Sequence, residues 1–141
     1  MQTIFPILRY NDPRAAISWL CRTFGFAELF SVPEAGNVVR HAQLRLGTNV
    51  VMLGSVRSDD GIASPEALGA TTQALYVCVD DVDGHFQRAS SAGADILGPP
   101  QDTDFGSRDY HVRDLEGHLW TFGTYRPDPG GPGSEGGGGA A

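Results

Sequence analysis

Hydrophobic and polar positions along this chain follow two periods that alternate, and the whole alternation occurs twice. The run from Thr3 to Arg9 is mostly apolar and reads as a strand. After Asn11-Asp12-Pro13, the residues Ala16, Ile17, Leu20 and Phe24 recur at helical spacing and predict an amphipathic helix to Thr23. Asp12 can accept from the orphan amides at its start, Pro13 fits the first helical position, and Gly25 suits the left-handed conformation that ends a helix. Three strand candidates follow, Glu28 to Val32, Val38 to Leu46 and Val50 to Gly54, the last two joined by the hairpin signal Gly47-Thr48-Asn49.

The second half runs in the same order. Ala74 to Val79 reads as a strand, Asp80-Asp81 opens a helix in which Val82, Phe86 and Ala89 form the apolar face, and Gly93 follows it. Strand candidates then occupy Asp95 to Leu97, Asp109 to Arg113 and His118 to Tyr125, with Asp114-Leu115-Glu116-Gly117 between the last two. The offsets between matching residues are 81 − 12 = 69, 93 − 25 = 68, 117 − 47 = 70 and 123 − 54 = 69. This near-constant spacing points to a duplicated β-α-β-β-β unit. The competing explanation is that any mixed chain places Asp before helices and Gly after them. Residues 1–56 form the first module in this reading, 57–72 a turn-rich linker, 73–126 the second module, and 127–141 a disordered Gly/Pro-rich tail.

Alternation within the strands separates two faces. Leu8, Ala42, Leu44, Leu46, Leu75, Val77, Trp120 and Phe122 fall on an apolar face that must pack on the helices. The other face mixes aromatic, small and polar groups, which suits a ligand cavity, although a plain half-exposed sheet would alternate too. Its residues are Phe5, Ile7, His41, Gln43, Met52, Ala74, Tyr76, Asp109, His111 and Thr121. Phe105 and Tyr110, flanking a Gly-containing loop, are expected to close over a ligand.

Composition narrows the partners. Ten basic residues, all arginine, stand against seventeen acidic ones, for a net charge of −7. That balance argues against a nucleic-acid partner and permits a neutral or cationic ligand. No apolar run is long enough to span a membrane, and the start of the chain lacks a secretory signal, so a cytoplasmic location is expected. Cys21 and Cys78 make no disulfide framework, and Cys78 lacks the electropositive setting of a reactive thiol. The sequence contains no phosphate loop, dinucleotide fingerprint or nucleophile elbow. His85 and His118 are expected to lie outside any cavity.

The run Leu8-Arg9-Tyr10-Asn11-Asp12-Pro13, the half-repeat, and the hairpin Arg113-Asp114-Leu115-Glu116-Gly117-His118-Leu119-Trp120 resemble the vicinal oxygen chelate superfamily of glyoxalases, bleomycin-resistance proteins and dioxygenases. The resemblance covers residues 3–126. It implies an α+β fold of two βαβββ modules forming a curled mixed sheet around a cavity, with helices on the outer face, and it implies a homodimer. Metal-dependent members carry His or Glu at four strand positions, which match Phe5, Gln43, Ala74 and Thr121 here. One amide and one hydroxyl do not hold a divalent ion. No metal or other cofactor is therefore expected, and the resemblance narrows to the metal-free, bleomycin-resistance-like branch. The expected role is sequestration of an aromatic or antibiotic-like molecule without catalysis. The alternatives are a metal-independent or unusual-metal lyase or isomerase using His111 and Asp109, and a degenerate interaction module.

Overall fold

Asp12 and Gly25 bound the first helix as their chemistry predicts. In a computed structural model, which describes residues 1–132, α1 spans Pro13–Phe24. The Asp12 side chain accepts from the Ala15 amide at 3.1 Å, and Gly25 adopts φ 88°. The first module also contains β1 (Ile7–Tyr10), β2 (Ala27–Pro33), β3 (Val39–Leu46) and β4 (Asn49–Ser55). Its sheet order is β1-β4-β3-β2, with β1 parallel to β4. A short helix, α2 (Pro65–Leu68), lies within the 57–72 stretch. The second module repeats the plan with β5 (Ala74–Cys78), α3 (Val82–Ser91), β6 (Asp95–Asp102), β7 (Arg108–Arg113) and β8 (Leu119–Gly123), in the order β5-β8-β7-β6. Most of the 127–141 tail lies outside the described residues. Among the described residues no helix is long and apolar enough to cross a membrane.

The largest departures from the expected strand bounds are at β1 and β6, where prolines fall, and β8 ends at Gly123 rather than Tyr125. β1 begins at Ile7 rather than Thr3. Pro6 has no N–H to offer a ladder and serves as an acceptor, taking a hydrogen bond from the Met52 amide. β6 runs to Asp102 rather than stopping at Leu97. It passes Pro99 and Pro100 because it is an edge strand whose register shifts around Gly98.

Helices α1 and α3 and the inner faces of both sheets share one core. Leu8, Ala42, Leu44 and Leu53 from the first sheet join Val112, Trp120 and Phe122 from the second. Phe24, at the end of α1, meets Trp120 and Phe122 edge-on at centroid distances of 5.3 and 4.8 Å. Among the described residues no strand of one sheet pairs with a strand of the other. The mixed face of each sheet therefore turns away from this shared core, and each helix packs on the side opposite the candidate site residues.

Two polar joints fix the modules to each other. At the first, the turn between β7 and β8 reaches back to the β1–α1 corner. The buried Asp114 carboxylate accepts from the Tyr10 hydroxyl at 2.6 Å, from Trp120 Nε1 at 3.1 Å, and from the Glu116 and His118 amides at 3.0 Å each. Glu116, also buried, accepts from the amides of Asn11 and Asp12 at 2.7 and 2.8 Å. His118 donates through Nε2 to the Arg9 carbonyl at 2.9 Å and packs edge-on against Tyr10. Burial pushes the Tyr10 hydroxyl well above its ordinary value, and the Asp114 charge adds to the shift. The linker completes this joint. Asn11 donates to Glu66 at 2.7 Å, and Pro65 sits where a Cβ on Gly117, at φ 98°, would press against it.

At the second joint, α3 caps the C-terminus of α1. Arg88 donates to the Arg22 and Cys21 carbonyls at 3.1 and 3.2 Å, and His85 Nε2 donates to the Phe24 carbonyl at 3.0 Å. Because that carbonyl can only accept, Nε2 carries the proton, and Nδ1 accepts from the Tyr110 hydroxyl at 2.6 Å. The imidazole stacks on Phe122 at 4.0 Å. His85 and His118 are both partly buried within the packed structure. Both are bridges between modules, since imidazole is the side chain that pairs a flat apolar ring with two hydrogen-bonding nitrogens.

Replacing Asp114 by Ala removes one acceptor that serves four donors. It is expected to cost about 3–5 kcal/mol in urea denaturation, the scale for orphaning a buried polar network. A loss under about 1 kcal/mol would show that solvent or a neighbour replaces the carboxylate. His85 gives the fold a pH dependence. Burial is the main cause of its lowered pKa, the Arg88 charge adds, and the Phe24 carbonyl opposes. The unfolded chain binds that proton first, so this contribution is complete above the ordinary imidazole value of about 6.5 and is lost as pH falls below it. His85→Gln is expected to lose less stability than the native chain between neutral and mildly acidic pH, read from denaturation midpoints. Equal losses would remove His85 from the account.

Candidate functional site

The site residues occupy two matching rows, one on the open face of each sheet. In the first sheet Ile7 lies opposite Met52, Met52 opposite Gln43, and Gln43 opposite Phe30. In the second, Tyr76 lies opposite Thr121, Thr121 opposite His111, and His111 opposite Gly98. Each residue of the first row therefore has a counterpart 68 or 69 positions later, which carries the duplication down to single side chains.

The first row is soft and weakly polar. The Gln43 amide nitrogen lies 2.9 Å from His41 Nε2, and the His41 ring sits 5.9 Å from that of Phe30. Phe5 and Ile7 are exposed, Ile7 by 52%. Phe30 escapes a simple alternation reading because a bulge between Glu28 and Phe30 shifts the register and turns it onto this face. A separate hollow of about 230 Å³ lies between the β2–β3 turn and the end of β4, lined by Glu34, Val39, Arg40, Ser55 and Arg57. It contains none of the expected site residues.

The second row is more polar and more closely built. His111 Nδ1 bonds Thr121 Oγ1 at 2.7 Å, leaving Nε2 on the exposed side. The Tyr76 hydroxyl donates to the Tyr125 carbonyl at 2.6 Å. Ser107, 3% exposed, donates its hydroxyl to Asp109 and accepts from the Tyr125 amide at 3.1 Å. Burial pushes the Tyr76 hydroxyl above its ordinary value, the Ser107 hydrogen bond opposes this, and the Asp109 charge adds to it. Gly123 makes the arrangement possible, because a Cβ there would collide with the Asp109 carboxylate and the Tyr76 hydroxyl. Ser107 lies just before β7 and carried no periodic signal, and Tyr125, within the expected strand His118 to Tyr125, lies beyond the end of β8 and was not singled out.

Tyr110 is not at the site. It alternates with Asp109 and His111, is fully buried, and bonds His85 on the core side. Phe105 is 61% exposed on the β6–β7 loop, with its ring edge-on to Tyr125 at 5.6 Å. Within one chain the residues therefore gather into two groups. Ile7, His41, Gln43 and Met52 belong to one sheet, with Phe5 just before its first strand, and Ala74, Tyr76, Asp109, His111 and Thr121 belong to the other.

The donor set does not fit a divalent ion. Among the described residues no group of three His, Cys, Asp or Glu side chains converges. The first-module counterpart of Thr121 is Met52, and Gln43 corresponds to His111. A thioether is a soft ligand and does not repair the set.

The model of the Glyoxalase/Bleomycin resistance protein/Dioxygenase superfamily matches residues 3–122. The chain belongs to this superfamily. TioX from Micromonospora sp. ML1 is similar to it in sequence as well as shape, at 42% identity and a TM-score of 0.71, over 90% of this chain and 98% of TioX. An uncharacterized protein of Mycobacterium tuberculosis is 36% identical over 125 residues, covering 84% of this chain and 71% of the relative. FosX of Listeria monocytogenes, a fosfomycin resistance protein seen with Mn(II), shares the superfamily fold at a TM-score of 0.63 and 14% identity. Members of the superfamily thus include proteins that bind small molecules.

Proposed function

We propose that this superfamily member is a metal-free small-molecule-binding protein that sequesters an aromatic, antibiotic-like compound. The observation that carries the reading is the chemistry of the two open faces. They offer exposed rings at Phe5, Phe30 and Tyr76, small Ala74 and Gly123, and hydrogen-bonding groups at Gln43, His111 and Thr121, with no ion-holding set. A planar ring system burying about 200–300 Å² of apolar surface gains roughly 5–7 kcal/mol gross at ~25 cal/mol per Å². Aromatic contacts add about 0.5–1.5 kcal/mol each. Association costs leave micromolar binding within reach.

The pocket is completed by a second copy of the chain. Each open face turns away from the shared core and holds half of the candidate residues, and both carry exposed apolar side chains that a monomer leaves in water. In the proposed homodimer, the first-sheet face of one copy covers the second-sheet face of the other. A cytoplasmic location accords with the free thiols of Cys21 and Cys78.

A thermal-shift screen of flat natural-product antibiotics tests the reading, because a bound ligand raises the melting point with the logarithm of its concentration over Kd. The expected outcome is at least one ligand recovered chemically unchanged, bound by protein containing well under one ion per chain. Tyr76→Ala is expected to weaken it by roughly 1–3 kcal/mol. Product formation abolished by His111→Ala would instead establish the lyase or isomerase alternative.

A further inference from the structure

The least balanced charge on the open faces is Asp109. Its strand neighbour Arg108 turns to the other side and pairs with Asp83 and Asp102, each at 3.1 Å. Among the described residues no arginine or histidine lies within ion-pair distance of Asp109 itself. Its carboxylate is half-buried and held in place by the Ser107 hydroxyl. A half-buried carboxylate with a single hydroxyl donor is incompletely compensated for the water it has lost.

The surroundings are as specific as the charge. Asp109 and the Tyr76 hydroxyl meet above Gly123, in space that any side chain at that position would fill. Tyr76 is pinned by the Tyr125 carbonyl, and Ser107 by the Tyr125 amide, so one residue fixes both sides of the carboxylate. Tyr125, whose backbone makes both of these contacts, has its ring edge to face with that of Phe105. Aromatic faces attract cations, and a carboxylate framed by rings favours an organic cation over a hydrated metal ion. The net charge of −7 favours the approach of such a ligand.

We infer that Asp109, framed by Tyr76, Phe105 and Tyr125, is a subsite for a protonated amine or similar organic cation attached to an aromatic ring. The inference rests on the small-molecule-binding reading and narrows its ligand class to cationic aromatics. Asp109 supplies the counter-charge, Phe105 and Tyr125 cover the apolar part, and His111 and Thr121 lie one row further along the same face. In the second-copy arrangement, the facing sheet would close over this corner and exclude the water that screens the pair.

The test uses the intact protein and three simple probes, with binding read from amide chemical-shift titrations. The probes are 2-phenylethylammonium, its neutral isostere 2-phenylethanol, and 3-phenylpropanoate. The expected order is ammonium, then alcohol, then carboxylate, with the ammonium about tenfold tighter than the alcohol. Asp109→Asn is expected to bring ammonium binding down to the level of the alcohol. Phe105→Ala, at a 61% exposed position that the fold does not need, is expected to weaken the ammonium several-fold. Equal binding of ammonium and alcohol, a preference that survives Asp109→Asn, or ammonium shifts that bypass Asp109, Tyr76 and Phe105 would each overturn the subsite. If the alcohol still binds and Tyr76→Ala weakens it, only the charge preference falls. If no probe and no flat natural product binds, the small-molecule reading falls with it.

Discussion

One buried carboxylate sets the relation between the two halves of this protein. Asp114 sits in the turn between the last two strands and gathers donors from both modules, Tyr10 from the first and Trp120 from the second, together with two amides of its own turn. A buried anion is tolerable only when its lone pairs are filled, and here four donors fill them. Glu116 and His118 extend the grip to the backbone at the start of α1. With this corner fixed, and the C-terminus of α1 capped by His85 and Arg88, the helices and inner sheet faces share one core. The open faces have no freedom to fold over one another. The two-halved site follows from that constraint.

The duplication explains both the economy and the asymmetry of the site. Equivalent positions keep their place on the sheet, Ile7 with Tyr76, Met52 with Thr121 and Gln43 with His111. Their chemistry has diverged toward an apolar first row and a polar, ring-framed second row. Gly54 and Gly123 occupy matching positions in the central strands, but what lies over them differs. A Cβ at Gly54 would strike the Arg40 carbonyl and crowd the Arg9 guanidinium, whereas at Gly123 it would strike Asp109 and Tyr76. Arg9 is paired with Asp60 at 3.1 Å. The cationic corner of the first sheet is thus neutralised within the chain, and the anionic corner of the second is left to a ligand in the proposed function.

Much of this was legible in the sequence because the governing signals are local. Caps at Asp12 and Asp81, glycines after both helices, and strict alternation in β3, β5 and β8 located the elements and sorted the faces. Alternation was not applied to Tyr110, which was assigned by its nearness to a loop rather than by its own register between Asp109 and His111. Alternation missed Phe30, because a bulge resets the period. The polar joints were invisible for a different reason. Asp114, Glu116 and His118 read as ordinary turn residues, and their partners Tyr10, Asn11 and Asp12 lie about a hundred positions away. The short helix α2 within the expected linker was hidden in the same way, since Ser64 and Pro65 look like turn formers until Gly117 and Asn11 supply their partners.

The central claim is that a complete pocket requires the first sheet of one copy and the second sheet of another. Mixed dimers test it most directly. One chain carries Ile7→Arg, on an exposed first-sheet position, and the other carries Tyr76→Ala on the second sheet. The two chains are isolated as a pair through different tags and titrated with the tightest compound from the thermal-shift screen. The account predicts that neither variant alone binds tightly and that the mixed pair regains one native-affinity site per pair, because one of its two interfaces contains only intact faces. A mixed pair that binds no better than the separate variants would contradict it and place the pocket within a single chain.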